Sequence, residues 1–573
     1  MAILLKRLKR RQVILATTAT LLFILLTTGT RFRSPAQITH RLPHQDASAL
    51  LPLPEHKPRP NGMHNQAILG APSEEHDLRP SDTSPAATVN ALPEHDIHPQ
   101  NPVYCASRFG LKYLENLRDQ SVGYCTADSP ANLTCFHSQT APLASKSANR
   151  RQSRTDTMCI GRSAHFDTTA EKFSLGCDSR VLQDDEATRV PQLDQFTGYW
   201  YGTGPRAVLN ERVVLDPKFT VEEPTRNFTI LVKREGSHNP WHSLMEIWSM
   251  TMSLDVLRMA KEPGTNAPLY SIGDVDNTQV MIVDDFEEGP YFDLWSLFAK
   301  RPTVRVRSMT TALTTSENII IPLPGASNPV WQGDWDIHNC GRSPLLTTFT
   351  QRILSFYGIA ATPTSHPGIV LTFIDSGSTR RLLDQDSHLD ALRAHIPHLK
   401  IQIIDLTTLS FSEQVKVMRG TDILVGVHGA GLTHAMFLPS PAVVIEILPE
   451  GQEHNGFRNF AELSGHEYFS AHGLKARAGR VGKAEAEARE VVGAADGDAR
   501  VMDGSAKATG EGLEQKPLNL DVVPGTGAAT TLPVGAGDPQ EEDVFLEEER
   551  FLELIEVAVK VMYDKGLRNY DGN

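Results

Sequence analysis

The chain has 573 residues, of which 40% are hydrophobic, and carries a formal net charge of −14 at pH 7. This length allows three or four domain-sized units, and the hydrophobic fraction is sufficient for sizeable cores. The negative charge, with no basic aromatic-rich patch beyond the first residues, argues against a nucleic-acid-binding protein.

The first hundred residues have the pattern of a membrane anchor followed by a stem. Residues 1–12 hold five basic side chains, and an apolar run interrupted only by threonines follows. The positive-inside rule then predicts a cytoplasmic tail (1–12) and a type II transmembrane signal anchor (13–30), with a cleaved signal peptide as the alternative. Residues 31–100 are rich in proline and histidine and lack cysteine and nearly all aromatic residues, so we predict a disordered stem.

Cysteines and glycosylation sequons favour a secretory-pathway protein. Six cysteines occur, five of them in a region that we place at 101–194. The chain has no C-x-x-C spacing, which argues against a zinc site. We expect disulfides, whose pairing the sequence does not give. Asn132 and Asn227 begin N-x-T sequons. The predicted location is the Golgi or endoplasmic reticulum membrane with a lumenal body, and the lack of a KDEL-type ending favours the Golgi.

Residues 195–360 alternate short β-branched runs with helical patterns, which indicates an α/β layer. Strands are expected at 228–232, 280–283, 304–306 and 319–321, and helices at 241–259, 291–298 and 345–357.

Three side chains in this half are candidates for a general base. His242 and Glu246 are four residues apart on one helix and face the same way. They form either an exposed polar pair or a pair directed into a cleft. Asp285 follows a strand, where α/β sheets place ligands. Deprotonating a hydroxyl requires an imidazole or carboxylate of this kind, and the sequence does not choose among these three and Asp293.

Residues 361–470 repeat a strand–helix pattern, which predicts a Rossmann-like domain. Strands are expected at 369–374 and 401–404, and helices at 389–396 and 411–418. A Ser/Gly loop after the first strand leads to Arg380 and Arg381. Guanidinium groups suit a diphosphate, although an exposed basic pair at a helix start has the same pattern.

The stretch from Gly420 to Glu446 combines a strand, a glycine turn, a short helix at 432–438 and a second strand. Backbone N–H groups at such a turn bind anions, and phosphate is the natural ligand. A tight turn in an α/β core is the plainer alternative, and the dinucleotide fingerprint fails because His434 occupies its third glycine position. In the functional interpretation His428, Gly429, Ala430, Gly431 and Leu432 hold a diphosphate, and Glu446 holds a ribose.

The C-terminal part begins with a change of composition. Residues 471–541 contain no Phe, Tyr, Trp, Ile or Cys and are rich in Ala, Gly, Glu and Asp, so we predict a disordered insertion. Apolar residues recur at helical spacing from Phe545 to Met562, which predicts that 542–573 form a helix that completes the fold.

Several motifs resemble glycosyltransferase family 61, a group that includes O-GlcNAc transferases and plant xylosyltransferases. The similarity is specific in the stretch that contains His428–Leu432 and looser in the pieces around it, which are Asn239–His242, Val283–Asp285, Trp331 with Cys340, Thr379–Arg381 and Lys565–Tyr570. The resemblance implies the GT-B architecture of two facing Rossmann-like domains, with 195–360 binding the acceptor and 361–470 the donor. It also implies an inverting transfer of GlcNAc or xylose from a UDP-sugar to a protein or glycan hydroxyl.

Three alternatives qualify this interpretation. Three D-x-D matches in an acidic chain are weak evidence for metal, so we expect no required cofactor and leave a divalent metal open. An α/β-hydrolase would need a Gly-x-Ser-x-Gly elbow downstream, which the chain lacks. A catalytically inactive sugar- or nucleotide-binding protein of the same fold remains the alternative function.

Overall fold

The computed structural model describes residues 92, 94–95, 102–140, 154–220, 225–309, 316–362, 368–377, 380–476 and 543–564. All of them lie within one compact unit, Ala86–Asn573. The predicted tail and anchor lie outside the described residues, as do nearly all of the stem, Thr379, residues 477–541 and residues 565–573. No helix in the described ranges has the length and apolar character needed to cross a bilayer.

The first half is built on a nine-stranded mixed sheet. Its main path has the order β1-β2-β3-β9-β6-β7-β8, and β4 and β5 extend it from β3. Strands β6, β7, β8 and β9 are parallel, whereas β1, β2 and β3 are joined by antiparallel pairing. The strands are β1 Ser121–Gly123, β2 Asn132–Thr140, β3 Arg154–Asp167, β4 Lys172–Leu175, β5 Val213–Leu215, β6 Phe228–Val232, β7 Thr278–Ile282, β8 Val304–Arg305 and β9 Glu317–Ile321.

Seven α-helices accompany this sheet in the described residues. They are α1 Val103–Phe109, α2 Leu111–Asp119, α3 Asp184–Ala187, α4 Gly204–Arg212, α5 Pro240–Met259, α6 Pro329–Gln332 and α7 Pro344–Phe356. Five 3₁₀ segments accompany them, at Leu193–Gln195, Ile272–Asn277, Phe292–Phe298, Val306–Ser308 and Gly325–Ser327. The predicted strand at 304–306 ends one residue early, and the predicted helix at 291–298 is a 3₁₀ helix, as short segments often are.

The second half is a six-stranded sheet with the order β11-β10-β12-β13-β14-β15. All its pairs are parallel except β14 with β15. The strands β10, β12 and β13 are buried along their whole length, which explains their unbroken apolar sequences. The strands are β10 Val370–Ile374, β11 Lys400–Ile404, β12 Ile423–Val427, β13 Val443–Pro449, β14 Glu467–Ala476 and β15 Asp543–Phe545.

Four α-helices and two 3₁₀ segments belong to the second half. They are α8 Gln385–His395, α9 Phe411–Arg419, α10 Gly456–Ser464 and α11 Glu548–Asp564, with 3₁₀ helices at Leu406–Thr408 and Ala430–Phe437. Ordered structure continues past the predicted start of the insertion, because β14 runs to Ala476. Val544 and Phe545, predicted as helical, form β15 against β14 instead, because their backbone completes the edge of the sheet.

Helix α5 connects the two halves. The side chain of Asn239 caps its first turn, and nearly every residue from Trp241 to Met259 is buried. Its apolar side chains share one hydrophobic cluster with residues of β6 and β7 and with residues of β12 and β13. A helix that is apolar all round must be buried on all sides, and α5 satisfies this between the two sheets.

The expected disulfides are present in the first half. The pairs are Cys105–Cys340, Cys125–Cys177 and Cys135–Cys159. Residues 101–194 do not form a separate region, because β3 pairs with β9 and so extends the sheet of the first half. The α/β class predicted from the sequence is confirmed for the described residues.

Candidate active site

A cavity of about 550 Å³ opens where the second sheet faces the first half, a size typical of small-molecule sites. The first half contributes only four lining residues. The lining residues are His238, Pro240, Pro290, Tyr291, Ile374, Asp375, Ser376, Arg380, Asp405, Leu406, Thr407, Leu409, Gln414, Val427, His428, Gly429, Ala430, Gly431, Leu432 and His434.

Topology explains why the cavity lies here. The chain passes from β10 to β11 on one side and then to β12 on the other, so the loops after β10 and β12 diverge. The cavity is lined by the residues that directly follow β10, β11 and β12. This divergence is the switch point at which open α/β sheets bind their ligands.

The glycine turn after β12 forms one wall. A Cβ at Gly431 would lie 3.3 Å from Cγ2 of Ile374, so glycine allows the turn to pack against β10. The predicted α-helix at 432–438 is a 3₁₀ helix that begins earlier, at Ala430. A 3₁₀ helix covers more length per residue and spans the short distance before Pro439. Ala430 and Gly431, at its start, line the cavity, and the first N–H groups of a helix lack partners within it, which is the basis of an anion site.

The two predicted arginines have different environments. Arg380 lines the cavity, has a left-handed φ of 53°, and donates from Nη1 to the His428 carbonyl over 3.0 Å. Strained residues of this kind cluster at functional sites. Arg381 pairs with Asp543 at 3.1 Å, keeps 53% of its side chain exposed and does not line the cavity. The structure therefore does not place Arg381 for donor binding.

Glu446 also differs from its prediction. It lies in β13 with a fully buried side chain, and its Oε1 bonds Nδ1 of His428. Its Oε2 accepts a 2.6 Å hydrogen bond from the Tyr468 hydroxyl. Burial and the Glu446 charge raise the pKa of Tyr468 well above its usual range, so this tyrosine remains a donor. The Glu446 side chain is fully buried, so the structure does not present its carboxylate to a ribose.

A second histidine lies against the first. The rings of His428 and His454 have centroids 5.0 Å apart. Nε2 of His454 is 3.3 Å from Oδ2 of Asp334, and its Nδ1 accepts the Gly456 N–H at 3.2 Å. Both nitrogens of His454 are occupied, so it supports His428 and fixes a segment of the first half.

The three predicted bases do not line the cavity. His242 packs between the rings of Tyr201 and Trp331, and burial lowers its pKa to about 4. Glu246 is neither exposed nor in the cleft. It lines a separate small cavity of about 20 Å³, and burial, followed by the Glu235 charge, raises its pKa well above the ordinary value. Asp285 is 60% exposed and pairs with Arg307 at the surface.

Two carboxylates in the cavity were not singled out from the sequence. Asp375 follows β10 and Asp405 follows β11. The available signal was an aspartate directly after each predicted strand, which is where acidic residues of nucleotide-binding sheets contact ribose hydroxyls. Oδ1 of Asp405 accepts hydrogen bonds from the backbone and side chain of Thr407, which fixes its orientation.

Among the described residues, one group could hold a metal ion, and it consists of Glu94, His95 and Asp255. Arg352 binds both Glu94 and Asp255, so a guanidinium already balances these carboxylates. None of these residues lines the cavity. Asn132 is exposed at the start of β2, and Asn227 is half-buried just before β6.

Part of the chain resembles a known protein family. The profile described as Glycosyltransferase 61 matches residues 279–445, a range that includes Arg380 and His428–Leu432 and ends one residue before Glu446.

Several similar curated proteins are named EGF domain-specific O-linked N-acetylglucosamine transferase. The Drosophila melanogaster protein is 27% identical over 243 residues, which is 42% of this chain and 44% of that protein. The Xenopus laevis protein is 33% identical over 137 residues, which is 23% of this chain and 26% of that protein. The Mus musculus protein is 24% identical over 310 residues, which is 51% of this chain and 53% of that protein. The matches thus span about half the length of these relatives or less.

Proposed function

We propose that this chain, a member of glycosyltransferase family 61, transfers a sugar from a UDP-sugar to a hydroxyl of a protein or glycan acceptor. The relatives are named for transfer of N-acetylglucosamine, so UDP-GlcNAc is the first donor to test and UDP-xylose the second. The reaction in this proposal inverts the anomeric carbon by a single displacement.

The observation that carries the proposal is the cavity at the switch point of the second sheet. Its size suits a nucleotide sugar, and the start of the 3₁₀ helix at Ala430 offers N–H groups to a diphosphate. Arg380 supplies the positive charge, and Asp405 is placed for the ribose hydroxyls. Arg380 would also stabilise the charge that develops on the departing nucleoside diphosphate.

The proposal extends to architecture and location. The second sheet would be the donor domain and the parallel part of the first sheet the acceptor domain of a GT-B enzyme. His238, Pro240, Pro290 and Tyr291 would then contact the donor from the acceptor side. The type II anchor and the Golgi or endoplasmic reticulum location belong to the same proposal, and the three disulfides support an oxidising compartment.

Thermal-shift binding of the purified chain with UDP, UDP-GlcNAc, UDP-xylose, ADP and GDP tests the proposal. A ligand that binds the native state raises Tm in proportion to the logarithm of its concentration over Kd. We expect UDP and one UDP-sugar to raise Tm. Removing a charged hydrogen-bond donor costs about 1.5–3 kcal/mol, so Arg380→Ala should weaken UDP binding about 10- to 100-fold.

Arg381→Ala is the matched control, because it removes the neighbouring guanidinium from an exposed pair with Asp543. It should bind UDP as the unaltered chain does. If no nucleotide raises Tm while the protein is folded, the proposed function is wrong. If UDP-sugars bind but no acceptor is ever modified, an inactive binding protein is the better description.

A further inference from the structure

The hydrogen bonds around His428 form a chain that ends in the cavity. Tyr468 on β14 donates to Glu446 on β13, and Glu446 bonds Nδ1 of His428 at the end of β12. Nε2 of His428 has no hydrogen-bond partner among the described residues, and 13% of the side chain is exposed. A buried carboxylate therefore fixes one nitrogen of a residue that lines the cavity, and the other nitrogen has no protein partner among the described residues.

We propose that His428 is the general base that accepts the proton of the acceptor hydroxyl, and that Glu446 and Tyr468 are positioning residues for it. This inference rests on the proposed function and assigns roles within the same site. It replaces the sequence-based roles, in which His428 bound the diphosphate and Glu446 the ribose.

The tautomer of His428 follows from its partners. A carboxylate accepts hydrogen bonds and cannot donate them, so Nδ1 must carry the proton that Glu446 accepts. In the neutral ring Nε2 is then the acceptor, which is the form that a general base needs. A carboxylate in this position fixes the ring orientation and stabilises the imidazolium that forms after proton transfer.

The burial of Glu446 supports this role over ligand binding. Its side chain is 0% exposed, so a ligand cannot reach either oxygen. A buried carboxylate needs partners for its charge, and here these are an imidazole and a phenol. Besides Glu446, the titratable or charged groups around His428 are Asp334, Arg380, His454 and Tyr468.

The other candidate bases have less suitable environments. His242, Glu246 and Asp285 do not line the cavity. Asp375 and Asp405 do, but their hydrogen bonds are to N–H and O–H groups of their own loops. Among the described residues that line the cavity, His428 alone is an imidazole backed by a carboxylate from another strand.

The step balances without any further reactant. The acceptor oxygen forms a bond to the anomeric carbon while the bond from that carbon to the diphosphate oxygen breaks. The electron pair of the broken bond leaves with the nucleoside diphosphate. The hydroxyl proton moves to Nε2 of His428, and Glu446 balances the resulting positive charge until the proton is released to water.

The test measures transfer and nucleotide binding separately for His428→Gln, Glu446→Gln and Tyr468→Phe in the full chain. General-base catalysis contributes about 10²–10⁴-fold, so we expect His428→Gln to lower kcat about 100-fold or more. Glu446→Gln should lower kcat about tenfold or more, since a neutral amide does not balance an imidazolium. Tyr468→Phe removes one hydrogen bond and should lower kcat about three- to tenfold. UDP binding, measured by thermal shift, should change less than about threefold in each variant.

The pH dependence distinguishes a base from an acid. If His428 is the base, kcat of the unaltered chain falls in acidic solution, because a protonated imidazole cannot accept a proton. If it instead donates to the leaving diphosphate, kcat falls in alkaline solution, and the inference is overturned. The residual activity of His428→Gln should lack the acidic decline.

A surface pair of the same chemistry provides the control. His395 and Glu556 bond each other with 45% and 52% of their side chains exposed. His395→Gln and Glu556→Gln should leave kcat unchanged. A parallel loss of UDP binding and kcat in His428→Gln would show that His428 is a donor ligand, and an unchanged kcat would also overturn the inference. Failure of the unaltered chain to bind any nucleotide contradicts the proposed function itself, which keeps the two outcomes separate.

Discussion

The two sheets place parallel strand ends toward the middle of the molecule, yet they use these positions differently. After β6 and β7, the space is filled by a buried ion pair between Arg234 and Asp284, with side chains 1% and 5% exposed. After β10 and β12, the space between the glycine turn and the Arg380 loop stays open and forms the cavity. Parallel topology favours a ligand site at both edges, and the side chains that follow the strands decide which edge stays open.

Arg234 fills the space after β6 and β7 through hydrogen bonds to the protein itself. Its guanidinium bonds both oxygens of Asp284 and the carbonyls of Phe286, Glu287 and Glu288. The Asp284 carboxylate and these three carbonyls are thus bound within the protein. In the second sheet, by contrast, Asp405 and His428 both line the cavity, and each has one side-chain polar atom held by a hydrogen bond within the protein.

The largest effect is expected from breaking the buried ion pair that fills the space after β6 and β7. Arg234→Met leaves the buried Asp284 without its partner and should lower the free energy of unfolding by about 3–5 kcal/mol. Arg307→Met removes the exposed partner of the adjacent Asp285 and should cost about 0–1 kcal/mol. Urea denaturation of both variants measures the difference. Equal losses of stability would contradict the assignment of Asp284 to a buried ion pair and Asp285 to an exposed one.

A smaller effect, limited to pH dependence, is expected at Glu246 in the same half. Burial raises the pKa of its carboxyl in the folded protein, so the native state holds a proton that the unfolded chain releases above the ordinary glutamate pKa. Its contribution to stability is therefore present below that pKa and is lost as pH rises. Glu246→Gln should flatten the decline of Tm as the pH rises above about 4.5, the ordinary glutamate pKa. An unchanged slope would show that Glu246 is ionised when folded.

The smallest effect is expected at the cavity of the second sheet. If Asp405 holds the ribose, Asp405→Asn should reduce the preference for UDP over 2′-deoxy-UDP by about tenfold, the value of about one good hydrogen bond to a charged group. Binding of both nucleotides can be measured by isothermal titration. The matched variant Asp375→Asn, in the neighbouring loop of the same cavity, should keep the preference. Equal preferences in the Asp405 variant and the unaltered chain would place the ribose elsewhere.

Much of the fold could be predicted because burial and periodicity are local properties of the chain. Strand β6 has the predicted bounds, and α5 and α9 differ by one residue at one end. The segments predicted wrongly are short or at an edge, such as β15, where pairing with another strand determines the conformation. The pairing of six cysteines also required the fold, since Cys105 and Cys340 are 235 residues apart.

For the site, the local sequence was enough to predict the glycine turn, the buried strands around it and the resemblance to a glycosyltransferase family. Only the tertiary structure decided which neighbouring polar residues face the cavity. Arg380 and Arg381 are adjacent and chemically identical, yet Asp543 binds one of them at the sheet edge. Glu446 follows His428 by eighteen residues, and only parallel pairing of β12 with β13 makes it the partner of that histidine. The orientation of a polar side chain depends on counter-charges that are distant in sequence, and no local pattern encodes where they lie.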